Sequence, residues 1–276
     1  MTPASRPSVA APETPPPIPA LAASLAVARF QLGRLLTPPR LAMAALGVVF
    51  PTAILLAAMK ASGRTLPFHY GAPLLYALVP EAVCRHGLLV TMCPVVADEL
   101  ERGTWVHVAV RPGGRRSLLL GTYLAAVVWT GSVALSALLL ALVSGAIAGG
   151  WAVLWPFIGL IGLSCIGRAA LFALPAVIIP KKALVAGVGV ALVVEYLAGF
   201  IPAVVNQLTV ALRLRTLLVR WMGWRRQLYS MPEMQLLIDI NPPWMQVAAV
   251  FVLAVVFLAL ALAILEWRQF PPSEES

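Results

Sequence analysis

Two opposite charges stand inside apolar runs at mirror-image positions: Arg168 lies 13 residues before Lys181, and Glu195 lies 13 residues after Lys182. If both runs are helices, each charge sits about 20 Å from the face marked by the lysines. Consecutive antiparallel helices bring them to equal depth, where pairing relieves the cost of each charge away from water. Such a pair can be a structural cross-link or part of a substrate site, and spacing alone leaves both open.

Other candidate chemistry is sparse. His69, His86 and His107 are too dispersed for a metal-ligand set. Met92 and Cys93, followed by Pro94, offer soft ligands suited to monovalent copper, while the plainer reading is a proline-kinked helix with packing residues. Cys84, Cys93 and Cys165 all fall in apolar stretches, where a thiol packs as a hydrophobe, and an odd count makes a poor disulfide framework. No Gly-x-x-x-x-Gly-Lys-Ser/Thr phosphate loop occurs, so by that route the chain cannot hold ATP itself. A credible nucleophile-and-base set is likewise missing. The sequence therefore predicts no catalytic residue, no cofactor and no resident metal.

The densest polar stretch between apolar runs is Asp98 to Arg116, a short helix and turn in which Glu99, Glu101, Gly103, Thr104, Arg111, Pro112, Arg115 and Arg116 stand out. It reads either as a solvated connector touching lipid headgroups or as a docking element for a partner. Glu99 and Thr104 suit the loop's own geometry, at helix ends. The three arginines suit acidic groups on a partner.

The elements that must position these residues follow from composition. With 61% hydrophobic residues, 11% charged residues and a mean hydropathy of +0.90, the chain suits lipid as solvent. Its length leaves room for about six spans of roughly 20 residues. A net charge of +9 does not point to nucleic acid, because the basic residues sit between apolar runs and not on one soluble face. The expected fold is an all-α polytopic membrane protein of about six transmembrane helices with an N-terminal amphipathic surface helix.

Residues 1–19 are too proline-rich for a helix or a secretory signal and read as a disordered tail. Residues 20–36 repeat Leu21, Leu25, Ala28, Leu32 and Leu35 at four-and-three spacing, with Ser24, Gln31 and Arg34 off the stripe, as in a helix lying on a membrane. Spans are expected at 41–59, 80–97, 117–143, 152–179, 183–204 and 244–265, all within one domain covering 20–270, with 271–276 a tail. Starting the second span at Pro80 places Glu81, Arg85 and His86 near an interface. Gly145 and Gly149 have the spacing of a small-residue packing motif.

Orientation follows from short loops: a cytoplasmic N-terminus puts Arg29, Arg34, Arg40, Arg102, Arg111, Arg115, Arg116, Lys181, Lys182 and Arg268 inside. It also puts Arg213, Arg215, Arg220, Arg225 and Arg226 outside, against the positive-inside rule.

At Glu99, Gly103, Thr104, Arg111, Pro112 and Arg115 the sequence resembles the ABC-2 family of exporter permeases. Leu120, Gly121, Tyr123 and Leu124 look like that family's start of span three, with Thr122 where a lysine often stands. Arg29, Phe30 and Arg34 before span one, Pro180 and Lys181 before span five, and Ile201 to Asn206 extend the likeness over most of 20–270. The chain is most similar to the branch of permeases associated with multicopper enzyme maturation.

The resemblance implies a membrane-spanning subunit in the cell membrane that forms a homodimer or heterodimer, binds a cytoplasmic ATP-binding subunit, and contacts lipid but no nucleic acid. It also implies that the loop after span two lies near the coupling surface and that the segment after span five folds partly back into the membrane. The alternative is a membrane scaffold or anchor that transports nothing. An ion-driven secondary transporter is disfavoured by the lack of an internal repeat.

Overall fold

In lipid, a run of apolar residues can satisfy its backbone only by forming a helix or a closed barrel. The computed structural model of this protein, which describes residues 20–197, 206–207, 209–224 and 241–268, is built from helices. In chain order these are α1 (Ala20–Leu35), α2 (Pro38–Ser62), α3 (Phe68–Tyr76), α4 (Cys84–Met92), α5 (Val95–Glu101), α6 (Trp105–Val110), α7 (Gly114–Val143), α8 (Leu154–Ile178), α9 (Ala183–Val190), α10 (Val210–Trp221) and α11 (Pro243–Trp267). A π-helical stretch, Ala77–Val83, joins α3 to α4, and a second, Ala191–Leu197, continues α9.

Among the described residues five helical segments are long and apolar enough to cross a membrane: Pro38–Ser62, Phe68–Glu101, Gly114–Val143, Gly150–Ile178 and Pro243–Trp267. The helix expected at 183–204 is present from Ala183 to Leu197, and 198–204 lie outside the described residues. So do the expected tails, 1–19 and 271–276. The protein is an all-α, multi-pass membrane protein with a separate N-terminal helix.

The centre of the bundle is α8. In its segment 72% of the most apolar window is buried inside the protein, against 17% for α2 and for α11. Small residues make this possible: Gly167, Ala169, Ala170, Ala173 and Ala176 are buried along α8, and they let neighbouring helices approach closely. A Cβ at Gly167 would meet Val210 of α10 at 3.0 Å and Val250 of α11 at 3.2 Å. A Cβ at Gly159 would meet Trp221 at 3.1 Å, so α10 runs antiparallel to α8 from mid-bundle back toward its start.

Arg213, on this half-length helix, donates to Gln246 Oε1 at 2.9 Å and to the Gln207 carbonyl at 2.8 Å. Arg215 and Arg220 are also engaged. Basic residues that are bonded within the bundle carry no simple orientation signal. Arg225 and Arg226 lie outside the described residues.

Three local expectations change. The second span does not begin at Pro80: it runs from Phe68 to Glu101, with Pro73 and Pro80 inside it. Glu81 and Arg85 therefore lie within the helix, where partners described below offset the cost of burying them. Gly145 and Gly149 do not form a packing motif; with φ of 67° and 66° they are left-handed turn residues, a conformation that Cβ-bearing residues disfavour.

On α1 the face against α7 carries Ser24, Ala28 and Leu35, while Leu21, Leu25 and Phe30 stay exposed. The reason is the closeness of the crossing. A Cβ at Gly121 of α7 would lie 2.7 Å from the Ser24 carbonyl oxygen and 2.6 Å from Val27, so only small groups fit between at this crossing, and Leu21 and Leu25 point outward, as on a membrane-surface helix.

Gly121→Ala should therefore lift α1 from α7 and cost about 1–3 kcal/mol, because backbone cannot move aside as a side chain can. Gly131→Ala on the same helix, with open space around it, should be neutral or slightly stabilising. Thermal unfolding in detergent and protease sensitivity at α1 check the pair; equal behaviour of the two variants would reject the close crossing.

Candidate functional site

Pro80 shapes the first cluster. A proline inside a helix has no N–H to donate and its ring crowds the carbonyl four residues earlier, and the chain relaxes here into the π-helical turn Ala77–Val83. In this register the Cys84 N–H bonds to the Val79 carbonyl, not to Pro80, its α-helical partner. The Pro80 carbonyl accepts instead from α8: from Arg168 Nη1 at 2.6 Å and from Ser164 Oγ at 3.0 Å.

Around that carbonyl lies a closed set of charges. Arg168 donates through Nε to Glu195 Oε2 at 2.8 Å, through Nη2 to Glu81 Oε1 at 2.7 Å, and through Nη1 to Ser164 Oγ at 2.7 Å. Glu81 also accepts from the Tyr76 hydroxyl at 2.7 Å and from Arg85, one turn along its own helix. The chain Arg85, Glu81, Arg168, Glu195 alternates in sign and sums to zero. The side chains of Arg168 and Glu195 are 0% exposed.

Glu195 sits on the second π-helical stretch, and its other oxygen accepts the Val210 N–H at 3.2 Å. Val210 begins α10, whose N-cap Thr209 accepts from Leu212 N–H at 3.3 Å. The carboxylate thus faces the positive end of a helix dipole. One guanidinium ties together the second span, α8, the continuation of α9 and the start of α10. With its donors occupied inside the protein and no exposure, the arrangement is that of a cross-link and not of an open anion site.

The second cluster is the stretch after the second span. Glu99 is buried and accepts from Arg34 Nη1 at 2.8 Å. Asp98 lies 3.5 Å from Arg34 and 3.8 Å from Arg40. The Thr104 hydroxyl donates to the Glu99 carboxylate, and the Thr104 N–H donates to the Glu99 carbonyl at 3.1 Å. Gly103 makes the turn between them with φ 67°.

At the far side, Arg115 lies over the Trp105 ring, 5.7 Å from its centre, and donates to the carbonyls of Leu265, Glu266 and Arg268, each at 3.3 Å. These are the terminal carbonyls of α11, so a cation caps the negative end of that helix. Arg116 pairs with Glu266, with Nη2 to Oε2 at 2.9 Å. Glu101, Arg102, Arg111 and Pro112 remain exposed.

The structure brings Arg168 and Glu195 together, joins Glu99 to Thr104 across the Gly103 turn, and engages Arg115 and Arg116 within the chain. Glu81, Arg85, Tyr76 and Ser164 were not anticipated from sequence. Their signal was the apolar run from Phe68 to Val79, which allows the span to start earlier and carries Glu81 inward. The contacts of Arg34 and Arg40 with the acidic pair had no sequence signal. Among the described residues, no group of three or more His, Cys, Asp or Glu side chains is placed to hold a metal.

No protein-family model matches the chain, and no curated protein matches it.

Because Arg168 serves both carboxylates, Arg168→Met should destabilise the protein by about 3–5 kcal/mol, the scale of leaving a buried charge uncompensated. Glu195→Gln should cost less, since Arg168 keeps Glu81. Thermal unfolding of the purified variants in one detergent checks the order; a Glu195 variant as damaging as the Arg168 variant would contradict it.

Proposed function

We propose that this chain is the membrane-spanning permease subunit of an ABC-2 type ATP-driven exporter, working as a homodimer or heterodimer with a separate cytoplasmic ATP-binding subunit. The observation that carries the reading is the bracing of the Asp98–Arg116 segment. It is anchored to α1 through Arg34 and Glu99, and to α11 through Arg115, Arg116 and Glu266. Its outer edge, with Glu101, Arg102, Arg111 and Pro112, is left exposed.

A segment anchored at two sides and bare on the third suits a surface on which a partner pushes. In this reading α1 and the loop face the cytoplasm, in line with the basic residues gathered there. Closure of the partner around ATP displaces α5 and α6, and the displacement reaches α1 and α11 through their ion pairs. The exporter then alternates between inward-open and outward-open arrangements. Arg111, which has no ion pair among the described residues, is the first candidate to meet acidic groups on the partner. Arg115 and Arg116 act by holding the loop to α11.

Capture of the chain from native membranes in mild detergent should bring down an ATP-binding protein in about equal amount, with ATPase activity. Arg111→Ala together with Arg102→Ala should weaken that association about tenfold, or ~1.4 kcal/mol, without changing the thermal stability of the isolated chain. Recovery of the chain alone in several detergents would reject the exporter reading in favour of a membrane scaffold.

A further inference from the structure

Between the first part of α2 and the facing sides of α4 and α7 lies a groove of about 170 Å³, lined by Met43, Ala44, Gly47, Val90, Trp129 and Val133 among others. It exists because α2 meets the bundle mainly through its middle. The buried residues of α2 are Pro51, Thr52 and Leu55, while Leu46 and Val49 face outward. The stretch from Arg40 to Ala44 therefore stands off from α4 and α7, and Gly47 closes the deep end of the groove, where a Cβ would meet Val133 at 3.5 Å.

The end of the groove nearest α1 is polar. Arg40, Leu35 and Thr91 line both the groove and a smaller adjoining hollow of about 20 Å³, which also touches Arg34, Asp98 and Thr122. Three buried polar atoms along this path have no hydrogen-bond partner: Thr130 Oγ1 in the groove, and Thr122 Oγ1 and Arg34 Nε at the hollow. Thr130 is 1% exposed. An unpaired buried hydroxyl calls for a partner from outside the chain, since buried polar groups are as a rule hydrogen-bonded.

We propose that groove and hollow form a binding site for one zwitterionic phospholipid of the leaflet nearest α1. Its acyl chain lies along the groove, its phosphate meets the Arg40 guanidinium, and its ammonium turns toward Asp98. The eight residues from Arg40 to Gly47 span about 10 Å, well within a leaflet roughly 15 Å deep. Arg40 and Asp98 are only loosely paired, at 3.8 Å, and both side chains are partly exposed, 36% and 29%. Arg34, which also lies 3.5 Å from Asp98, is matched by Glu99 at 2.8 Å, so Arg40 and Asp98 leave one positive and one negative group side by side, and these complement a zwitterion better than a simple anion.

Depth agrees as well. Thr130 packs against Gly87, one helical turn from Thr91 on α4, so its hydroxyl sits about 6 Å deeper than the polar end. That is the offset at which an ester carbonyl follows a phosphate, and the Thr130 O–H donates to it. The site does not depend on the exporter reading.

The test uses the full chain in vesicles of phosphatidylethanolamine and phosphatidylglycerol, with a trace of phosphatidylethanolamine carrying a diazirine on one acyl chain. After illumination, labelled peptides are mapped by mass spectrometry. Label should concentrate at Ala44–Gly47 and Trp129–Val133. Ala44→Phe, which fills the groove, should remove it there and leave label on the outward side of α2 at Val49. Arg40→Gln, which leaves the groove's volume alone, should lower groove labelling about threefold, the effect of one partly exposed charge contact. Even labelling around α2, or groove labelling indifferent to both variants, would overturn the site. Equal groove labelling by a phosphatidylglycerol probe with the same diazirine would overturn the zwitterionic assignment.

Discussion

A guanidinium with no access to water is the constraint on which the middle of this protein depends. Arg168 cannot give up its proton, and it cannot stay charged inside an apolar bundle without partners. The fold supplies Glu81 from one side and Glu195 from the other, and Arg85 balances the second negative charge. The same carboxylates fix the backbone: Glu195 takes the first N–H of α10, and Tyr76 is held to Glu81. Removing α10 from the bundle would expose a carboxylate oxygen, and shifting the second span would strand a guanidinium. Depth and register of four elements are thus set by one side chain.

Both carboxylates stand on π-helical turns, at Ala77–Val83 and at Ala191–Leu197. A π turn adds a residue to the ring closed by each hydrogen bond, so it rotates the side chains beyond it and displaces a carbonyl from its usual donor. At the first turn the cause is Pro80, and the displaced carbonyl is its own, which Arg168 and Ser164 take up. The proline therefore sets both the irregular backbone and the acceptor that rewards it. For the second turn the described residues offer no proline; its Glu195 is drawn between Arg168 and the start of α10.

Much of the architecture was legible in sequence because lipid imposes a simple rule, long apolar runs ended by charge. The helices around 41–59, 117–143, 152–179 and 244–265 follow it, as does the equal depth of Arg168 and Glu195. The start of the second span was not legible by that rule, since Glu81 and Arg85 look like an interface until their partner on α8 is known. Nor was the packed face of α1. The apolar stripe contributes Ala28 and Leu35 to that face, but a 2.7 Å approach at Gly121 brings in Ser24 from outside it and leaves Leu21 and Leu25 exposed. Partners 60 or more residues apart, such as Arg34 with Glu99, leave no mark in local spacing.

The second span belongs to both clusters, with Glu81 in the buried network and Glu99 against α1. Between them α4 ends at Met92 and α5 begins at Val95. Pro94 stands in this break and has no N–H to return to the Val90 carbonyl. The upper part of the span is tied to α8 by charge-assisted bonds, whose rupture costs several kcal/mol. The lower part is tied to α1 through Arg34 and, beyond the Gly103 turn, to α7 and α11 through Arg115 and Arg116. The bond from residue 94 to Val90 is one the helix has already lost, so it bends more easily here than elsewhere. A force applied to α5 and α6 therefore turns them about Pro94 before it draws on Arg168, and the neighbours that meet this movement are α8 and the turn Pro180–Lys182, against which α5 packs.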